Sequence, residues 1–157
     1  MKKIFQEIWK LSSEYQEQDS NNHVTSVLAF ARKLVKIKNA NADIIIPSAI
    51  LHDIGWSQVS EEVHNIIHDK RKKNSKEYFS ARFKHQDEGV KLARQILNKI
   101  NYSKELIEPI LEIISQHDTR KEFISEEEGL TRDADKLSRY SKPEFWREVK
   151  ISNYTAE

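Results

Sequence analysis

Cysteine is absent from the 157-residue chain, which excludes disulfides and thiolate metal sites of the zinc-finger kind. Any metal must then be held by imidazole nitrogen and carboxylate oxygen, donors that suit Mn, Fe, Co, Ni, Zn or Mg. Glycine and proline are scarce, three of each, which argues against a turn-rich all-β fold and for long helices. No apolar run approaches the roughly 20 residues of a membrane span. The N-terminal stretch Met1 to Phe5 runs straight into Gln6, Glu7 and Lys10, so it has no signal-peptide core. A cytoplasmic protein without a membrane partner is expected. Excess charge is lacking too: at +1 the chain has no global field of the kind that marks a nucleic-acid binder.

What is present is a chain 38% apolar and 32% charged, which fits one domain over residues 1–157 with a real core and a well-solvated exterior. The apolar residues recur at helical spacing. Ile4, Ile8, Leu11 and Tyr15 form the first stripe, and a polar run from Gln16 to Asn22 follows it. A second helix is predicted from a cap near Ser20 to Asn22 to about Lys38, with Val27, Phe30, Ala31 and Leu34 inward and His23 on the same face. A third is capped by Asn41 or Asp43, with Pro47 in its first turn. It delivers His52 and Asp53 at its last turn, where Gly55 is expected to break it. A short helix is read within 57–69. Lys70 to Lys84 carries seven basic residues against one Glu and reads as a loop or lid. Further helices follow around Leu92 to Ile100, then from a cap at Ser103, then from the capping box at Ser125. A last packed helix is expected around Pro143, Phe145, Trp146, Val149 and Tyr154. The fold class expected is all-α, a helical bundle.

Five of these segments aim a donor inward: His23, His52 with Asp53, His85, His117 and Asp135. A single inward histidine is ordinary in a core. Four imidazoles and two carboxylates together are costly to hydrogen-bond there, whereas one cation satisfies them at once. Helical bundles build metal sites in this way, from inward side chains on facing helices.

His23, then His52-Asp53 within Ala-Ile-Leu-His-Asp-Ile-Gly, then Asp135 within Arg-Asp-Ala-Asp-Lys-Leu resemble the H…HD…D signature of the HD-domain metal-dependent phosphohydrolase superfamily. The likeness covers about residues 20–142. It implies an all-helical fold in which His23, His52, Asp53 and Asp135 ligate a divalent metal. It also implies that Asp135, directly before Lys136, is the ligand, while Asp133 orients a neighbour. His85 and His117 resemble the extra histidines of members that hold two ions, with the HD aspartate bridging. One ion is expected and a second is open; without it, these two histidines serve as acid and base or hold phosphate. An ion held in this way lowers the pKa of a water, to roughly 7 in the best zinc sites, and draws charge off a phosphoryl oxygen.

The activity implied is hydrolysis of a small anionic phosphate ester, nucleotide-like, with Asp53, His85, His117 and Lys136 as catalytic residues. Arg120, Arg139, Arg82 and Lys84 are the cations expected to receive the phosphate, and Tyr78, Phe79 and Phe83 are placed to stack on a base. Trp56 follows Gly55 where many members carry Lys or an acidic residue, so no role is carried over to that position. His64 and His68 have metalloprotease spacing, but Asn65 stands where the general-base Glu is needed, and they read as surface or lid residues. The two-histidine subset also resembles HD-type di-iron oxygenases. A non-catalytic nucleotide-binding module is the third reading, and a homodimer is open.

Overall fold

The computed structural model describes residues 1–16, 18–142, 145 and 146, and side chains at all of these except 18–21 and 70. Among them are seven α-helices and no strand: α1 (Lys3–Ser12), α2 (Gln18–Lys38), α3 (Ala42–Leu51), α4 (Glu61–His68), α5 (Lys76–Lys99), α6 (Lys104–Gln116) and α7 (Glu126–Ser138). Short 3-10 turns lie at Ser13–Tyr15, Ile54–Gln58 and Lys70–Lys72. Among the described residues no helix is long and apolar enough to cross a membrane.

The bundle is built around α3. Every residue from Ile44 to Leu51 is buried, and the helix packs against α1, α2, α6 and α7. A helix apolar all round belongs at the centre. It begins at Ala42, with the Asn41 side chain accepting from the Asp43 amide, so Pro47 does not start it but lies inside it. An interior proline leaves the carbonyl four residues back without its helical donor. Here that carbonyl belongs to Asp43, and the Tyr102 hydroxyl donates to it at 2.7 Å. A partner from the α5–α6 connection thus replaces the missing bond. Burial pushes the Tyr102 hydroxyl pKa up, which keeps it a donor.

Asparagine takes over a task often given to glycine. Asn39 and Asn101 adopt left-handed conformations just past α2 and α5. The amides of Ala40 and Tyr102 then fold back onto the Val35 and Leu97 carbonyls in six-to-one closures. Gly55, by contrast, has no positive φ and is not a left-handed cap. A Cβ there would overlap the His85 carbonyl oxygen and the Gly89 amide of α5. Its lack of a side chain lets the turn after α3 lie directly on α5. Gly89 makes the complementary concession, with Gly55 backbone 3.5 Å from where its own Cβ would be.

Other expectations change in detail. The basic stretch does not remain a loop to Lys84: Ser75 caps α5 by accepting from the Tyr78 amide, and Ala81 is buried. Ser125 accepts from the Glu128 amide, but Glu128 returns its carboxylate to the Ile124 amide and to Arg120, so the capping box closes one residue early. Gly129 lies under the Phe123 ring, whose atoms would be 3.2–3.3 Å from an added Cβ. Phe145 and Trp146 are each 52% exposed, which removes them from any packed core. Pro143, Val149 and Tyr154 lie outside the described residues.

Candidate metal centre

Six donors converge where α2, α3, α5, α6 and α7 meet. His23 comes from α2 and Asp135 from α7, elements that pack along each other. His52 ends α3, Asp53 follows it, His85 lies in α5 and His117 ends α6. The apolar stripe of each helix carries its donor inward, and helix ends free His52 and His117 to turn toward the gap.

The donors fall into two groups. In one, Nε2 of His23 is 3.2 Å from Oδ1 of Asp135, and Nε2 of His52 is 3.9 Å from the same oxygen. In the other, Nε2 of His85 and Nε2 of His117 face each other at 3.4 Å. Asp53 stands between them. Its Oδ2 is 3.6 Å from His23 and 3.3 Å from His52, and its Oδ1 is 3.7 Å from His85 and 3.2 Å from His117. Each group brings its atoms within 4.8 Å of one another, as a shared ion requires.

The chemistry of the donors fits a cation. Nδ1 of His52 lies 3.0 Å from the Ala49 carbonyl and Nδ1 of His117 lies 2.8 Å from that of Ile114. A carbonyl only accepts, so each Nδ1 carries a proton, and Nε2 is the atom turned toward the gap, able to ligate when it carries none. Nε2 of His52 is buried and makes no hydrogen bond. A lone pair facing carboxylate oxygens repels them unless a proton or a metal ion lies between.

Without an ion, protons do this work. Burial alone would raise the Asp53 carboxyl, but the neighbouring His52 imidazole and the hydrogen bond from His117 hold it well below the usual carboxylate range. Burial would lower His117 too. Asp118 and Asp53 outweigh that and raise it from 6.5 to about 9. His85 is lowered to about 4 by burial and by the neighbouring His117 charge. Asp135, which burial would raise, is lowered by the His23 hydrogen bond and by His52.

A family model, HD domain, matches residues 21–140, which covers most of the chain and all six donors. The chain belongs to the HD-domain family. That family consists mostly of metal-dependent phosphohydrolases, and among the described residues these His/Asp groups could hold such a metal. Searches of curated proteins and of solved structures return no match.

Beside the donors of this HD domain lies a cavity of about 350 Å³, lined by His23, Asp53, His117 and Asp135 and walled by Tyr15, Val24, Trp56, Ile67 and Tyr78. The expected phosphate-receiving cations part ways here. Arg82 and Arg139 line the cavity. Arg120 does not: its guanidinium is held by Glu112 and the buried Glu128. Lys84 is exposed and lines a separate groove with Val63 and Lys76, and Lys136 is exposed and not part of the cavity lining. Asp133 is exposed. Tyr78 faces the cavity, whereas Phe79 and Phe83 are exposed outside it. His64 and His68 also line the cavity, with His64 against Trp56 and bonded to its carbonyl at 3.0 Å.

Two neighbours of the cluster were given no role by the sequence. The Trp56 indole stacks on the His85 imidazole, 4.0 Å between centroids and 9° from parallel, and shields it from water. Asp118 places Oδ2 at 3.6 Å from Nε2 of His85 and 3.8 Å from Nε2 of His117. Its signal was present: His117-Asp118 repeats the His52-Asp53 dipeptide, and like it follows an apolar helical stripe.

Proposed function

We propose that the protein hydrolyses a small phosphate ester, a nucleotide or a related phosphorylated metabolite. The observation that carries this reading is Asp53, whose two oxygens face separate imidazole groups on the floor of a cavity that also presents two arginines. His23, His52, Asp53 and Asp135 would hold the first ion, and His85, His117 and Asp53 a second. When bound, a divalent ion supplies charge withdrawal from a phosphoryl oxygen and makes water acidic enough to deprotonate near neutral pH.

The chain's own residues supply the rest. Asp53 must stay ionised to serve both groups, and its imidazole neighbours ensure that. Arg139, 56% exposed and 3.9 Å from Asp135, lines the cavity and is placed to take the anionic end of a substrate. Arg82, a quarter exposed, adds a second positive edge. Tyr15, Val24, Ile67 and Tyr78 offer apolar surface to the remainder of the ester. If only the first group is filled, Nε2 of His117 holds the proton that a leaving oxygen needs. Trp56 keeps the His85 side of the floor dry.

The test is elemental analysis of protein purified without chelating resin, followed by phosphate-release assays on nucleotides and sugar phosphates with Mn, Co, Ni and Mg. Release that depends on the ion, and is lost in His52→Ala, supports the reading. Metal-free protein that releases phosphate from nothing with any ion rejects it. A shared carboxylate between two histidine groups also suits a di-iron oxygenase. Iron that colours the protein, and dioxygen uptake in place of phosphate release, would favour that second reading.

A further inference from the structure

We infer that Asp118 is a ligand of the ion held by His85 and His117, and that Arg82 is the positioning residue that aims it. The inference rests on the metal-holding reading above and extends it to a residue outside the HD signature.

The first argument is geometric repetition. His52 follows the last residue of α3 at φ −56°, ψ −40°, and His117 follows the last residue of α6 at φ −55°, ψ −28°. Both rings fix their tautomer on the carbonyl three residues back. Both are followed by aspartate. Asp118 therefore stands to His117 as Asp53 stands to His52, at the end of a helix that packs on α3.

The second argument is charge. The His23–His52 group has a carboxylate of its own, Asp135, besides its share of Asp53. The His85–His117 group has only the other oxygen of Asp53. A second dication there would sit among neutral imidazoles beside the first, with half a carboxylate to offset it. Asp118 restores the balance, and each group becomes two histidines, one carboxylate and a share of Asp53.

The third argument is orientation. One guanidinium nitrogen of Arg82 donates to Oδ1 of Asp118 at 2.8 Å and the other to its backbone carbonyl at 3.0 Å. This clamp occupies one carboxylate oxygen and leaves Oδ2 facing both Nε2 atoms. Arg82 is itself seated by the Tyr78 ring, 5.2 Å from its guanidinium carbon, and lies one turn before His85 on α5. A salt bridge serving only stability would not need its unclamped oxygen turned toward two imidazole lone pairs.

The experiment is titration of the full metal-free chain with Co²⁺, followed by calorimetry and by visible absorption, for the parent, Asp118→Asn, Arg82→Gln and Asp135→Asn. The parent is expected to take two equivalents. Asp118→Asn should keep the first unchanged, which also certifies its fold, weaken the second by about 100-fold and alter the absorption of the second cobalt. Arg82→Gln should weaken the second by about 10-fold. Asp135→Asn should weaken the first instead. Two equivalents in Asp118→Asn with parental affinity and spectrum overturn the inference and leave the metal-holding reading standing, as does a parent that binds one. An affinity loss with the second spectrum unchanged also overturns it, because charge alone would do that. If Asp118→Asn fails to fold, Arg82→Gln decides, and an unchanged second equivalent in it is a negative result. A parent that binds no Co²⁺ defeats the underlying reading itself.

Discussion

The two halves of the donor cluster hold the same side chains and yet differ in what they do without an ion. In the half made by α2, α3 and α7, Nε2 of His52 is buried with no hydrogen bond and its neighbours are carboxylate oxygens. In the half made by α5 and α6, His117 already has a cation's role. Two carboxylates raise it to about 9, so it keeps a proton that partly substitutes for a metal. The first half leaves the His52 Nε2 without a hydrogen-bonding side chain or backbone group among the described residues, and the second has a working protonic alternative. An ion should therefore enter the first half more tightly, and the second should fill only as that proton leaves.

The largest effect that could break this comparison comes from removing what the halves share. Asp53→Ala should abolish binding of both ions together with turnover, read by elemental analysis and phosphate release. Retention of one full equivalent would show that the halves are independent, and that Asp53 does not bridge them.

Next comes the backbone contact that brings the halves together. Gly55→Ala places a methyl group into the His85 carbonyl and the Gly89 amide, neither of which can rotate away. A cost of about 3 kcal/mol or more is expected in urea unfolding. In whatever protein folds, the His85–His117 half should be the poorer binder, because α5 must retreat. Gly89→Ala meets only the Ile114 methyl at 3.3 Å and Gly55 backbone at 3.5 Å, and should cost about 1 kcal/mol. Equal costs would mean that the turn and α5 adjust freely.

A sharper and smaller effect is expected of His85→Ala. It should remove one equivalent of metal and leave the first half's affinity within a few-fold, with the fold intact by circular dichroism. His85 is neutral at ordinary pH, its Nδ1 has no hydrogen bond, and its ring is held mainly by Trp56. Loss of both equivalents in this variant would erase the distinction between the halves.

The sequence made the six donors visible because each sits on, or at the end of, an apolar stripe, and helical periodicity alone assigns such positions to the interior. The partners that decide fine direction come from far along the chain, and periodicity does not see them. Pro47 reads as a helix start until Tyr102 supplies the donor that lets α3 continue through it. Arg120 reads as a phosphate ligand until the buried Glu128 captures it. The basic run before His85 reads as a lid because its charges dominate, yet from Lys76 it is a helix with Ala81 and His85 on its buried face. Asp118 was missed although its dipeptide repeats the one that organises the rest. A carboxylate just past a helix end is usually solvated, and only the Arg82 clamp marks this one as aimed inward.

The smallest effect is a pH dependence, and its sign separates the halves. In metal-free protein the raised His117 contributes stability that is fully present below its ordinary 6.5 and is lost as pH rises through about 9. The lowered His85 acts in a different window. Unfolded chains take its proton below 6.5 and the folded one resists until about 4, so stability falls as pH drops across that range. The metal-free melting temperature should therefore peak near pH 6.5 and decline toward 9, by the equivalent of about 2 kcal/mol. With both ions bound His117 is neutral, and the decline above pH 6.5 should vanish. Loading at neutral pH should correspondingly release about one proton with the second equivalent and fewer with the first, measured by calorimetry in buffers of different ionisation enthalpy. Equal proton release at both steps would mean that His117 has no special hold on its proton, and that the difference between the halves lies in their geometry alone.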